Sequence, residues 1–225
     1  MSEPAGPAPA TDEIVWKAER RWPMALAVIA AVALQVGLPR EGRVQGWWIF
    51  PILELGLLAA LVAVDPGRID RRSRGMYTLT IALIAVMTVG TIVSLVVLVA
   101  DIIDHDAIVR GPILLGRGAA LWFTNVIVFS LWFWIFDRGG PAERAARSGV
   151  PPSFGFPEDA MPEIAPVGFI PTYPDYLYLS FTNATAFSPT DTLPVRTWAK
   201  MTMMAGSAIS FMTAILVVAR AINEF

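Results

Sequence analysis

Five long runs of apolar residues constrain the fold of this chain more than any other feature of its sequence. They cover residues 23–38, 47–64, 76–100, 118–136 and 198–221. A helix of about 20 apolar residues crosses a hydrocarbon layer of about 30 Å. Because lipid cannot satisfy backbone N–H and C=O groups, such runs are expected to cross as helices. The sequence therefore predicts an all-α integral membrane bundle with five transmembrane helices and, as argued below, a C-terminal re-entrant half-helix.

Composition agrees with this class and excludes several functions. Hydrophobic residues make up 55% of the chain, charged residues 16%, and mean hydropathy is +0.57, as in membrane domains. A formal net charge of −2 predicts no nucleic-acid partner. No cysteine and a single histidine are present, so we expect no cofactor and no metal centre. Phosphate-loop, metalloprotease and serine-hydrolase motifs are absent, which argues against an enzyme.

The apolar runs divide the chain into four regions. Residues 1–22 form a disordered and interfacial N-terminus, in which residues 12–21 are compatible with a short helix on the membrane surface. Residues 23–136 form a four-helix transmembrane region that includes an acidic linker beginning at Asp101. Residues 137–171 form a proline-rich connector with no helical period, and residues 172–225 contain the C-terminal hairpin.

The distribution of basic residues predicts the orientation. Three Lys and Arg residues precede the first apolar run, four lie in residues 65–75, and three lie in residues 138–147. Basic loops tend to remain in the cytoplasm. We therefore expect the N-terminus, the 65–75 loop and the connector to be cytoplasmic, and the acidic linker to face outward.

One apolar segment is too short to cross a membrane. Residues 172–175, Thr-Tyr-Pro-Asp, form a helix-opening signature with a hydroxyl available as N-cap. The helix predicted from Tyr176 to about Phe187 would reach only about 18 Å. A turn containing Pro189 follows, and then the long run at 198–221. This order predicts a re-entrant half-helix, a polar turn and a full crossing.

Residues 178–223 resemble the pore helix, filter and inner helix of the potassium channel superfamily. Residues 181–185, Phe-Thr-Asn-Ala-Thr, stand in the place of the threonine-rich end of that family's pore helix. Asp191 and Pro194 stand roughly where the family has its aspartate and proline. The resemblance implies a pore loop at an oligomer axis. Residues 186–190 contain no glycine, so it does not imply a potassium-type filter.

The whole chain also resembles an uncharacterised family of bacterial multi-pass membrane proteins that share this C-terminal hairpin. That resemblance implies a location in the bacterial inner membrane and supplies no activity. In potassium channels the pore loop enters from outside, whereas the basic residues of this chain keep the connector cytoplasmic. We follow the basic residues. A full crossing by residues 167–187 would remove the conflict, but two prolines, Asp175 and Asn183 disfavour it.

The predicted loop supplies the candidate functional residues. A short helix ending inside the bilayer directs its last carbonyls at the membrane interior, which favours a cation. Six residues would add oxygen atoms to an ion path: Thr182, Asn183, Thr185, Ser188, Thr190 and Asp191. Alternatively, the same groups satisfy the ends of their own helices. An ion path would require an inorganic cation and a homo-oligomer as partners, besides the lipid bilayer.

Polar residues within the apolar runs form a second set. Glu54 lies seven residues beyond Trp47, roughly 10 Å into the bilayer if helical. We predict that it pairs with Arg117, since an unpaired buried carboxylate is costly. Gln35 reaches the same depth, so a hydrogen bond from a neighbour to a protonated Glu54, or a proton or ion relay, stays open. Asn125 is expected to form an interhelical hydrogen bond.

The final apolar run carries small residues on one face. Gly206, Ser210 and Ala214 recur every fourth residue, a spacing that lets another helix approach closely. The partner helix belongs either to the same chain or to a neighbouring subunit.

Two functions fit these observations. In the first, the protein is a pore-loop, channel-like membrane protein that conducts ions through an oligomer. In the second, it is a non-conducting membrane scaffold or sensor, and the same hairpin is structural.

Overall fold

The computed structural model describes residues 18–37, 46–64, 67, 69, 73–103, 111–161, 163–186 and 191–223. These residues are mostly helical, which confirms the helical class. The helices are α1 (Trp22–Gly37), α2 (Ile49–Val64), α3 (Arg74–Ile103), α4 (Gly111–Phe136), α5 (Pro141–Ala145), α6 (Pro157–Ala160), α7 (Tyr173–Ala186) and α8 (Thr197–Asn223). Two short strands, β1 (Phe154–Gly155) and β2 (Leu193–Pro194), pair antiparallel.

Three helices are long and apolar enough to cross a membrane. The spans cover residues Arg74–Ile102 of α3, residues Pro112–Gly139 at α4 and residues Thr197–Val218 of α8. Helices α1 and α2 are apolar but have 16 residues each, or about 24 Å of helix. Five transmembrane helices therefore remain a prediction.

Helix α4 is the centre of the bundle. It contacts α1, α3, α7 and α8. Over its most apolar 18 residues α4 is 72% buried, against 33% for α3 and 28% for α8. Leu131, Phe133 and Trp134 near its end are almost completely buried. Helices α1, α3, α7 and α8 thus surround α4, and the outer faces of α3 and α8 are exposed.

The bundle has two chemically different ends. Helices α3 and α4 run antiparallel, since Arg117 near the start of α4 meets Asp101 near the end of α3. At the opposite end, the described residues of segments 18–22, 67–77 and 136–175 lie together. We call this second end the basic end, because it holds several of the described arginines: Arg21, Arg74, Arg138 and Arg144.

The proline-rich connector forms an ordered cap on the basic end. Contrary to the predicted absence of helix, it contains a 3-10 turn at Asp137–Gly139 and the short helices α5 and α6. Pro141 and Pro157 open these helices, where a missing N–H costs nothing. Phe154 is completely buried against Phe133. Aromatic burial therefore orders a segment that its proline content marked as irregular.

The segment before α1 is extended and built into the bundle. The N–H of Arg21 donates to the carbonyl of Gly67 at 3.3 Å, and that of Ile69 donates to the carbonyl of Glu19 at 3.0 Å. Arg21 is only 3% exposed. A surface helix reaching residue 21 is therefore wrong, because these residues pair with a neighbouring loop. Residues 12–17 of that predicted helix lie outside the described residues.

Candidate functional site

Helix α7 begins at the basic end and runs beside α4 in the opposite direction. The rings of Tyr173 and Trp134 lie 6.1 Å apart near its start. Further along, the hydroxyl of Ser180 donates to the carbonyl of Val126 at 2.7 Å. Near its end, Phe181 packs edge-on against Trp122 at 5.7 Å. Its 14 residues amount to about 21 Å.

The chain then returns to the end from which α7 started. Asp191 accepts a hydrogen bond of 3.5 Å from the hydroxyl of Tyr178. Gly155 of the cap pairs with Leu193, and Trp198 at the start of α8 packs edge-on against Phe136 at 5.5 Å. The described residues after the turn therefore lie toward the basic end, whereas the end of α7 lies deeper in the bundle. We call residues 173–223 the C-terminal hairpin.

The opening of α7 explains why the helix starts three residues before the predicted Tyr176. The backbone N–H and the hydroxyl of Thr172 both donate to the carboxylate of Asp175, at 2.7 and 2.9 Å. The N–H of Asp175 donates to the carbonyl of Thr172 at 3.0 Å. The threonine hydroxyl was expected to cap the helix itself. Instead the carboxylate three residues on accepts both donors, which is half of a capping box.

The threonines of the predicted pore loop use their hydroxyls within α7. Thr182 donates to the carbonyls of Tyr178 and Leu179, and Thr185 donates to those of Phe181 and Thr182, at 2.9–3.1 Å. Asp191 is exposed. Ser188 and Thr190 lie outside the described residues. Among the described loop residues, the hydroxyl groups thus bond to their own helix.

Asn183 connects α7 to α8. Its side chain is buried, and its amide donates to the carbonyl of Met203 at 3.1 Å. The backbone carbonyl of Asn183 accepts a hydrogen bond of 3.1 Å from the hydroxyl of Ser207. The opposite face of α7 is exposed, with Tyr178 at 56% and Phe181 at 44%. The deep polar groups of α7 therefore face its own bundle.

Asn125 connects α4 to α8 in the same layer. Its amide donates to the carbonyl of Gly206 at 3.0 Å and to the hydroxyl of Ser210 at 2.9 Å. A Cβ atom at Gly206 would lie 3.0 Å from the ring of Phe129, so the glycine permits this approach. Ala214 was predicted to continue this face but is exposed. Thr213 is buried instead, because an α-helix makes one turn every 3.6 residues and not every four.

The predicted ion pair between Glu54 and Arg117 is wrong. Glu54 is completely buried, and both of its oxygens accept from the amide of Gln35, at 3.2 and 3.1 Å. Arg117 pairs with Asp101 at 2.7 Å. Asp101 belongs to the last turns of α3 rather than to a linker. The correct partner of Glu54 is therefore the neutral residue at the same depth in α1.

A buried ionic network, which sequence reasoning missed, holds the start of α7. The carboxylate of Glu19 accepts from the indole N–H of Trp134 at 3.0 Å and from the backbone N–H of Tyr173 at 2.6 Å. Its third donor is the guanidinium of Arg144, at 3.3 Å. A residue of the N-terminal segment thereby binds α4, α5 and α7 together.

Asp137 and Arg144 continue this network beneath the cap. Arg144 donates to the carbonyls of Trp134 and Asp137, at 2.7 and 3.0 Å, and lies 4.9 Å above the ring of Tyr176. The carboxylate of Asp137 accepts from the hydroxyl of Tyr176 and from the N–H of Ser153, both at 2.7 Å. Both charged side chains are almost completely buried. The end of α4, the cap and α7 thus share one set of charges.

The electrostatics of Glu19 follow from its burial. Desolvation raises the pKa of Glu19 above its ordinary value of 4.5, and Arg144 with the N–H donors reduces this rise. In the sequence, Glu19, Asp137 and Arg144 all lie outside the apolar runs, where charges are normally solvated. One signal was present: Asp137 directly follows the aromatic end of α4.

Within the part of the chain that the structure describes, no group of three or more potential metal ligands lies together. Comparison with protein families, with curated proteins and with solved structures finds no match.

Proposed function

We propose that this protein is a multi-pass membrane scaffold or sensor in which the C-terminal hairpin is structural and does not conduct ions. The observation that carries the proposal is the position of Asn183. A residue that lines an ion path keeps its polar atoms directed toward the path. Here its amide and its backbone carbonyl both bond to α8 of the same chain.

The charges of the network support the same proposal. Glu19 and Arg144 hold the first turn of α7, while Asp137 binds Tyr176 one turn later. Asn183 bonds to α8 near the other end of the helix. Both ends of α7 are therefore bonded within one subunit. An element fastened in this way packs the bundle without any contribution from a second copy.

A pore-loop channel is the second candidate, and a specific observation supports it. Helix α7 is short, and the chain returns to the basic end after it. Its exposed face, with Tyr178, Phe181 and Thr185, is available to copies of itself in an oligomer. In this candidate, Thr185 and Asp191 would line the path of an inorganic cation.

Both candidates place the protein in the bacterial inner membrane with five crossings and the basic end in the cytoplasm. The three long apolar helices support the membrane location, and the described arginines of the basic end support the orientation. In this arrangement α7 enters the bilayer from the cytoplasmic side.

Cation flux into liposomes separates the candidates. We expect purified wild-type protein to give the same flux of Na⁺ and K⁺ as empty liposomes. Asn183→Ala should lower the melting temperature by several degrees, because it removes a buried hydrogen bond between α7 and α8 worth about 1–3 kcal/mol. Thr185→Ala is the matched control, since Thr185 is exposed and bonds only to its own helix; its melting temperature should stay unchanged.

Flux above that of empty liposomes, lowered by Thr185→Ala or Asp191→Asn, would overturn the proposal in favour of the pore loop. Equal melting temperatures for the Asn183 and Thr185 variants would also contradict the structural role. A cooperative melting transition of the reconstituted wild type would show that the protein is folded. An absence of flux would then be informative.

A further inference from the structure

A cavity of about 460 Å³ lies at the basic end of the bundle. It is formed by the first turns of α3, the end of α4, helix α5 and the extended segment before α1. Its volume falls within the usual range of small-molecule sites, about 300–1,000 Å³. Among the described residues, none of the C-terminal hairpin lines it.

Charge in the lining favours an anion. Among the described lining residues, two arginines, Arg21 and Arg74, stand beside one acidic residue, Glu143. Arg21 is 3% exposed, whereas Arg74 is exposed at the start of α3. Arginine suits phosphate oxygens because its planar guanidinium offers several donors at once. The two arginines come from separate segments and meet only in the folded chain.

The backbone of α3 adds to this preference. The first bond within the helix runs from the N–H of Tyr77 to the carbonyl of Ser73 at 3.1 Å, so the N–H groups of residues 74–76 precede the helical ladder. Such groups and the helix dipole favour an anion. The hydroxyls of Thr78 and Thr80 already donate to the carbonyls of Arg74 and Met76. The groups that favour an anion here are thus the positive charges of the two arginines and the first amides of α3.

The rest of the lining is apolar. Ile69, Met76, Ile135 and Pro141 contribute to it, and these side chains would gain nothing from a fully hydrated ion. Trp22 and Tyr77 at the same end are 57% and 43% exposed, as aromatic residues at the headgroup level of a membrane often are. An amphiphile with an anionic head fits both parts of the lining.

We propose that this cavity binds an anionic phospholipid, with Arg74 contacting the phosphate, Arg21 adding positive charge beside it, and the apolar lining contacting the glycerol and the start of the acyl chains. The site needs only that the basic end meets a headgroup layer. It does not depend on whether the hairpin conducts ions, so a failure of either proposal leaves the other standing.

Lipid titration of the purified full chain in neutral detergent micelles tests the site. Phosphatidylglycerol should raise the melting temperature and bind in a saturable manner, whereas phosphatidylcholine should do neither. Arg74→Gln should weaken the affinity for phosphatidylglycerol about fivefold, the effect of one basic residue near an anionic surface. Arg74 is exposed, so this variant is expected to fold. Arg196→Gln removes an exposed charge outside the cavity lining and should leave the affinity within about twofold of wild type.

Two further measurements identify the kind of ligand that the cavity binds. Ala142→Phe fills the cavity without changing its charge and should abolish saturable binding while the protein still melts cooperatively. Glycerol 3-phosphate, which has the same phosphate without acyl chains, should bind far more weakly than the lipid. Equal losses in the Arg74 and Arg196 variants would show diffuse surface attraction and overturn the site. Equal binding of glycerol 3-phosphate would overturn the assignment to a lipid, and the absence of any lipid effect would overturn both.

Discussion

Glu19 and Glu54 are both buried carboxylates, but the protein surrounds them differently. Glu19 accepts from an indole N–H, a backbone N–H and a guanidinium, donated by three different elements. Glu54 accepts from a single neutral amide, that of Gln35. Glu19 lies at the basic end, beside the cap, whereas Glu54 lies inside the apolar part of the bundle between α1 and α2.

The difference separates two uses of a buried acid. Three donors on different elements converge on Glu19, and its removal leaves them without this acceptor. The described residues around Glu54 include no cation. The amide of Gln35 joins α1 to α2 there by donating to both carboxylate oxygens. We therefore expect the protein to depend on the several hydrogen bonds that Glu19 accepts and on little more than the shape of Glu54.

Arg144→Met should have the largest effect on stability. Arg144 is almost completely buried and bonds to Glu19 and to two carbonyls. Removing one partner of a buried pair costs about 3–5 kcal/mol, because the other charge stays buried. The free energy of unfolding in mixed detergent micelles measures this loss. Arg147→Met, at an exposed arginine of the same cap, should cost about 0.5 kcal/mol or less. Similar losses for both variants would mean that the network is not the main source of stability at this end.

Glu19→Gln should cost about 1–3 kcal/mol, since an amide has one acceptor oxygen where the carboxylate has two. The loss should depend on pH. Because the pKa of Glu19 is higher in the folded protein than in the unfolded chain, its stabilising contribution is greatest below about pH 4.5 and falls as the pH rises through the folded pKa. Unfolding of both proteins from pH 4 to pH 8 should therefore show a gap that narrows with pH. A gap that widens would reverse the assignment of the pKa shift.

Glu54→Gln should have the smallest effect, less than about 1 kcal/mol, because an amide oxygen can still accept from Gln35. Glu54→Leu is the matched variant that keeps the volume but leaves the amide of Gln35 without this acceptor, and it should cost more. Unfolding in the same micelles compares the two. If Glu54→Gln destabilises the protein as strongly as Glu19→Gln, the carboxylate of Glu54 has a charge-dependent role and the contrast between the two acids fails.

Sequence reasoning located the long helices because their apolar runs are continuous. The predicted and observed bounds of α1 and α8 differ by one or two residues, whereas α4 begins seven residues before the predicted start at residue 118. Pro112 and Arg117 made that first part look like a loop. In the structure Pro112 stands in the first turn and Arg117 is paired, so neither residue interrupts the helix.

The partners of polar residues were harder to predict than their depth. Asn125 and Gln35 were recognised as deep polar side chains, and a deep amide must form a hydrogen bond somewhere. The partner of Glu54 was misassigned because helices that are apolar on every face carry no signal for their rotation about the axis. The network of Glu19, Asp137 and Arg144 joins residues up to 154 positions apart, and no local sequence pattern predicts contacts over such a separation.

The anchoring of α7 by Glu19 also bears on where the domain begins. The first residues of the chain look, by composition, like a dispensable leader. A polypeptide that starts at Trp22 would keep the described helices of the bundle. It would lose the carboxylate of Glu19, which accepts a hydrogen bond from the backbone N–H of Tyr173. The folding unit therefore includes residues before its first helix, from Glu19 at the latest. We expect a truncation or fusion at this point to affect the start of α7, 154 positions along the chain.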